Sequence, residues 1–261
     1  MLIDINAHVG HWPFKRLQHN TCETLLKVMN KYGVNMSVVS NLNGVFYKDT
    51  QAANEELFDE IRSGKSFKNR FIPFAVLNPI YAGWQNDLEI CSTRMGMKGI
   101  CLYPLYHDYE ITDPACVELV KRARDRGLIV TFTHRIVDAR QRSWMDISQE
   151  WSMKDIMPII KEVPDAKYFV VNAANSMVVN DEDTDLLRRT NILIDTSGRN
   201  LTNLGEMIIR LGKDKFAMGT HSPVLDYLGG ILRIESLREN EADEMTKQLL
   251  RSGNAERVLG L

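Results

Sequence analysis

Residues 97–134 read MKGICLYPLYHDYEITDPACVELVKRARDRGLIVTFTH. Gly99–Tyr103 is a short apolar run of strand length, and a polar, tyrosine-bearing loop follows it. Asp113 then stands as an N-cap with Pro114 at the first helical position, apolar residues recur at helical spacing to Arg126, and Gly127 lies just past the end. A second apolar run, Ile129–Thr133, comes next and ends at His134. Strand, helix and strand in this order make one crossover unit, which joins parallel strands with a right-handed turn.

The same unit repeats along the chain. Strands are expected at Leu2–Asn6, Met36–Asn41, Phe71–Leu77, Gly99–Tyr103, Ile129–Thr133, Tyr168–Asn172, Ile192–Asp195 and Lys215–Met218. Most are nearly continuous in Val, Ile, Leu and Phe, as strands covered on both faces tend to be. Helices are expected at Thr21–Tyr32, Ala52–Arg62, Trp84–Met95, Asp113–Arg126, Met153–Glu162, Asp183–Arg189, Leu201–Leu211 and Asp226–Ser236. Eight strand–helix units in 261 residues predict an α/β protein: a (β/α)8 TIM barrel as a single domain over 1–261, with Glu241–Leu261 adding an extra C-terminal helix. A doubly wound open sheet fits less well, because no GxGxxG follows any strand.

Composition narrows the function. Apolar residues make up 44% and charged residues 25%, as in an ordinary globule. The net charge of −2 gives no electrostatic basis for nucleic acid or an anionic membrane as partner. No apolar run reaches transmembrane length and no signal peptide is visible, so a cytoplasmic protein is expected. Cys22, Cys91, Cys101 and Cys116 are widely spaced and form no CxxC pair, which argues for buried thiols rather than disulfides or a cysteine zinc cluster.

Chemistry in such barrels sits at the C-terminal ends of the strands and in the loops after them. All six histidines fall there on this assignment: His8, His11 and His19 after strand one, His107 after strand four, His134 at the end of strand five and His221 at the end of strand eight. None falls in an expected helix. In strand one, Asp4, Asn6 and His8 are two apart, so an unbroken strand points all three to one side. Asn6, Asn43, Tyr103, Arg135, Asp138, Asn172, Asp195 and Thr220 are candidate substrate-binding groups on this rim, which Asn175 and Arg199 share. Arginine beside amides and tyrosines suits a carboxylate or polyhydroxylated ligand, since guanidinium grips a carboxylate through two parallel hydrogen bonds. An Arg135–Asp138 ion pair that only shapes its loop is the competing reading. Ser197 and Ser222 lie in no GxSxG turn and are not expected to be nucleophiles.

The chain resembles the amidohydrolase-related (amidohydrolase 2) family of TIM-barrel metal-dependent hydrolases over essentially its whole length. The resemblance rests on IDINAH at 3–8, MKGICLYPLYHDYEI at 97–111, GLIVTFTHRIVDAR at 127–140, KFAMGTHSP at 215–223 and SGNAERVLGL at 252–261. Metal-binding members of that family carry His-x-His at strand one, histidines at strands five and six, and an aspartate at strand eight. In this chain the first strand-one position is Asn6 and the second His8. Strand five offers His134, or Thr133 in the other register; strand six offers Asn172; and His221 stands where the aspartate belongs.

The resemblance therefore implies a degenerate metal site, with two outcomes. In one, His8, His134 and His221 hold Zn2+ with an open fourth position, and the bound water, acidified to a pKa near 7, attacks an ester, lactone or amide carbonyl. In the other no metal binds, and the imidazoles serve as general acid and base or line a simple binding pocket. An amidohydrolase-type hydrolase acting on a small carboxylate-bearing or sugar-derived ester, lactone or amide is the leading expectation. A metal-independent or decarboxylase-type lyase and a non-catalytic small-molecule-binding barrel are the alternatives, and a homodimer is compatible with the family.

Overall fold

In the computed structural model, which describes residues 1–173, 177–198 and 203–261, eight parallel strands pair in the order of the chain. They are β1 (Ile3–Val9), β2 (Met36–Asn41), β3 (Phe71–Val76), β4 (Gly99–Leu102), β5 (Ile129–Thr133), β6 (Lys167–Val171), β7 (Asn191–Asp195) and β8 (Phe216–Ala217). The sheet comes round on itself where β1 meets the end of β8. Ile5 N–H donates to Met218 O at 2.9 Å, His221 N–H to Asn6 O at 2.7 Å and His8 N–H to Ser222 O at 2.7 Å. The expected (β/α)8 barrel is thus the observed fold.

Side chains divide into two apolar layers. Ile3, Ile5, Val38, Phe74, Phe169, Leu193 and Ala217 fill the lumen, where Phe74 and Phe169 stack with centroids 5.8 Å apart. Val39, Ala75, Ile100, Val130, Phe132, Val170 and Ile194 face outward beneath the helices. Each large side chain so buried contributes about 1.5–3 kcal/mol through removal of apolar surface from water.

Strand alternation breaks once, in β1. Its pairing with β2 shifts register between Asp4 and Ala7. Ile3 and Ile5 face the lumen, yet Ala7 and Val9 pack in the outer layer. This bulge flips the phase of the strand, so Asn6 and His8 look inward while Asp4 looks outward. The expectation that all three share a face is therefore corrected.

The helices between strands are α1 (Cys22–Tyr32), α2 (Thr50–Ser63) with α3 (Lys65–Arg70), α4 (Trp84–Glu89), α5 (Pro104–His107) with α6 (Pro114–Asp125), α7 (Met153–Glu162), α8 (Asp181–Arg189), α9 (Leu204–Leu211) and α10 (Tyr227–Glu235). The start of α6 is as expected, with the Asp113 carboxylate accepting from Ala115 N at 3.3 Å and Pro114 in the first turn. Several details differ, among them that β1 runs on to Val9, so His8 lies within the strand and not after it, and that Lys65–Arg70 adds a helix. The stretch expected as one helix over Trp84–Met95 passes into a π-helical turn at Ile90–Arg94. The tail forms α11 (Glu244–Gln248), a π turn and α12 (Asn254–Leu259). His107 closes the short helix α5 instead of lying in a loop. Lys215 belongs to a 3-10 turn, where its Nζ donates to Thr190 O at 2.9 Å, rather than to β8. Among the described residues no helix is long and apolar enough to cross a membrane, and all four cysteines are free and buried, as expected.

Candidate active site at the barrel mouth

The inward phase of β1 carries Asn6 and His8 to the C-terminal end of the lumen. There they meet the end of β8, where His221 adopts a positive φ of 56°. His8 and His221 stand edge to face with centroids 5.0 Å apart and His8 Nε2 3.3 Å from His221 Nδ1. His221 Nε2 lies 2.7 Å from the carbonyl of Ile136, which can only accept, so the proton of this ring sits on Nε2 and Nδ1 is bare. Asn6 Nδ2 donates to that Nδ1 at 3.1 Å.

Asp195, at the end of β7, anchors the group from below. Its Oδ2 accepts from Asn6 Nδ2 at 2.7 Å and from Ser197 Oγ at 2.5 Å, and its Oδ1 accepts from Asn172 N at 2.8 Å. Gly219 makes room for it, since a Cβ there would come within 2.4 Å of Asp195 Oδ2. Asp4, on the other face of β1, accepts from Thr220 Oγ1 at 2.6 Å and from Thr220 N at 3.0 Å. Thr220 is thereby a clamp between β8 and β1, not the substrate-facing group expected from its position.

Burial sets the charges. Loss of water pushes the Asp4 carboxyl up to about 7, against three hydrogen bonds that pull it down. Asp195 is raised by burial as well. The same effect lowers His221 to about 4, and it lowers His8 well below its ordinary value with the help of the neighbouring His221. Both imidazoles are neutral at pH 7.

His134 does not join this pair. In β5 the lumen side is taken by Ile129, Thr131 and Thr133, and Val130 and Phe132 pack outward. His134 follows the outward phase, with its Nδ1 donating to Ala173 O at 3.3 Å, and burial lowers it to about 4. Thr133 is therefore the inward residue of strand five, and the three-histidine set does not assemble. Among the described residues no three His, Cys, Asp or Glu side chains stand close enough to hold a metal. Asn6 and Asn172 supply neutral amides in place of the family's histidines, and the Asn172 amide is turned away to donate to Arg135 O at 2.8 Å. This donor set does not fit the zinc expected at His8, His134 and His221.

Next to His221, on the far side of Ile136, whose carbonyl it meets, lies a small recess lined among others by Tyr103, Tyr106, Thr133, His134, Arg135 and Trp151. Arg135 is buried in its wall, with Asp138 at 3.6 Å and Glu150 at 3.5 Å. Asp138 also accepts from Arg140 Nε at 3.0 Å and Arg140 N at 2.9 Å, which braces its own loop. Asn43 accepts from His11 N at 2.8 Å and donates to Glu56 at 2.8 Å, which makes it a loop brace away from the imidazoles. Asn175 and Arg199 lie outside the described residues.

Ser40 and Glu150 were not singled out by sequence, Ser197 was weighed only as a nucleophile, and Thr133 only as the other register of strand five. Ser40 had a signal: in the run Met36–Asn41 it shares a face with lumen-lining Val38. The carbonyl of Ile136 had none, because a backbone group carries no residue identity.

No family model and no curated protein matches the chain in sequence. Solved structures match it in shape over nearly its full length. A 2,6-dihydroxybenzoate decarboxylase in complex with 2,6-dihydroxybenzoate superposes with a TM-score of 0.75 at 15% identity, covering 100% of this chain and 99% of that one. A dihydroxybenzoic acid decarboxylase from Polaromonas sp. JS666, with bound manganese and 2-nitroresorcinol, gives 0.73 at 14% identity, covering 100% and 97%. An amidohydrolase from Mycobacterium avium subsp. paratuberculosis K-10 gives 0.64 at 13% identity, covering 92% and 74%. The chain therefore has the (β/α)8 barrel fold that these two decarboxylases and this amidohydrolase share.

Proposed function

We propose that the protein is an amidohydrolase-related enzyme that hydrolyses an ester, lactone or amide of a small carboxylic acid, using its own imidazoles and hydroxyls. The observation that carries this reading is the placement of a neutral imidazole pair next to a compact recess walled by Arg135, at the end of the barrel where such folds do their chemistry. A guanidinium in a largely apolar wall selects a carboxylate and holds it by two charge-assisted bonds. The Tyr103 hydroxyl, raised well above its ordinary pKa by burial, remains an O–H donor available to a carbonyl oxygen. A neutral imidazole is the form a general base needs at the start of the reaction.

A second reading is supported by the likeness to decarboxylases. The aromatic walls Tyr103, Tyr106 and Trp151 around Arg135 also suit a hydroxylated aromatic acid that loses carbon dioxide. One assay separates the two. The protein is incubated with a panel of carboxylate-bearing esters and lactones and, separately, of hydroxybenzoic acids, with acid release and carbon dioxide release followed. Acid release from the esters supports hydrolysis. Carbon dioxide release alone replaces it with decarboxylation, and saturable binding without either product reduces the protein to a binding barrel.

A further inference from the structure

We propose that Ser40 is the nucleophile of this site, with His8 as its base and His221 as the group that fixes the tautomer of His8; this rests on the hydrolase reading above. These groups form one hydrogen-bonded chain. The Ile136 carbonyl holds the proton of His221 on Nε2, which leaves His221 Nδ1 as a lone pair. His8 Nε2 faces that lone pair at 3.3 Å. The Asn6 amide also donates to this lone pair, at 3.1 Å, and because two bare nitrogens 3.3 Å apart would repel, His8 carries its proton on Nε2 and shares the same acceptor. His8 Nδ1 is then the bare nitrogen, and it lies 2.9 Å from Ser40 Oγ. The Ser40 hydroxyl must therefore give its proton to His8 Nδ1, the relation between nucleophile and base that activates a serine.

Ser40 stands at the C-terminal end of β2 on its lumen face, against Cys101 and Tyr103. Tyr103 and Thr133 both line the recess and Tyr103 touches Ser40, so Ser40 lies one side chain from the recess. The buried Tyr103 hydroxyl has no hydrogen-bond partner in good geometry among the described residues. A buried O–H left over beside a serine is placed to receive the negative oxygen that forms when the serine attacks a carbonyl. Cys101 is the competing nucleophile in the lumen, but burial pushes its thiol up to about 11, so it carries almost no thiolate at neutral pH.

The chemistry balances without a further reagent. Ser40 Oγ bonds to the acyl carbon as its proton passes to His8 Nδ1, and the carbonyl oxygen becomes an oxyanion held by Tyr103. When the oxyanion collapses, the leaving alcohol or amine departs with the proton from His8 Nδ1. A water then gives a proton to the same nitrogen and its oxygen adds to the acyl carbon. Ser40 Oγ leaves with that proton, and the acid is released.

The test is covalent labelling with a fluorophosphonate, which reacts with activated serines by losing fluoride, followed by intact-mass and peptide analysis. The expected result is one adduct, on Ser40, and a fall of at least 100-fold in ester cleavage in Ser40→Ala. Ser40→Cys, which retains a nucleophile and nearly the same volume, is run beside it with melting temperatures for both variants. The absence of an adduct on the wild-type protein, or an adduct on another residue, overturns the proposal. Ester cleavage that persists in Ser40→Ala overturns the assignment of Ser40 and leaves the hydrolase reading standing. Carbon dioxide release from an aromatic acid, unchanged in Ser40→Ala, overturns both.

Discussion

The seam between β1 and β8 and the recess beside β5 occupy the same end of the barrel, yet their polar groups are held in different ways. In the seam, Asp4, Asn6, Asp195 and Thr220 are joined by bonds of 2.6–3.0 Å and are shut off from water. In the recess, Arg135 lies 3.6 Å from Asp138 and 3.5 Å from Glu150, farther than any of these seam bonds. Short, mutually satisfied bonds fix geometry more tightly than ion pairs at these separations. In the function proposed above, the seam positions the chemistry and the recess receives the substrate.

Breaking the seam costs the most. In Asp195→Ala the donors of Asn6, Asn172 and Ser197 lose their acceptor, so we expect a loss of about 3–5 kcal/mol in urea unfolding. A loss under about 1 kcal/mol would show that the network does not hold the mouth together.

Acid weakens the same region. His134 and His221 have folded pKa values of about 4 against an ordinary 6.5. Between these values the unfolded chain takes up protons that the folded chain refuses, so stability falls as pH drops from 6.5 to 4, by about 3 kcal/mol for each imidazole. Asp4 acts in the opposite direction. Its folded carboxyl near 7, against 3.8, holds a proton that the unfolded state releases, so its contribution grows as pH falls through that window. Asp4→Asn removes the opposition and makes the acid decline steeper, by up to about 4 kcal/mol between pH 7 and 4. Parallel curves for the two proteins would contradict the burial of Asp4 as a protonated acid.

The recess is tested by kinetics rather than unfolding. Arg135→Met is expected to raise KM for a carboxylate substrate by roughly 10- to 100-fold with little change in kcat, because Asp138 keeps Arg140 as partner. A drop in kcat with KM unchanged would move Arg135 from binding to chemistry. The smallest effect is expected on the outer lip, where Trp144 is 91% exposed. Trp144→Ser is expected to change stability by less than about 0.5 kcal/mol, and a larger loss on dilution would reveal a contact between copies.

The barrel was legible because its determinants are local. Asp113-Pro114 starts a helix and Gly127 ends it wherever the unit is placed, and apolar runs such as Ile129–Thr133 have one stable use, a strand buried on both faces. The site was legible only in part. Their strand ends grouped His8, His134 and His221, of which the structure joins His8 and His221 and leaves His134 apart. The bulge in β1 that separates Asp4 from that pair depends on pairing with β2, which no single segment encodes. Thr133 and His134 were left open because one residue of register decides which faces the lumen. The role of Ser40 depends on a proton set by the Ile136 carbonyl, a group with no signature in the sequence.

The most direct test of the account is a 15N spectrum of the histidine side chains at pH 7, assigned with His8→Gln and His221→Gln. The hydrogen-bonded chain predicts that His221 and His8 are each neutral and each protonated on Nε2 alone, with the Nδ1 of His8 bare toward Ser40. A proton on Nδ1 of His8, or a doubly protonated ring in either residue, would contradict it.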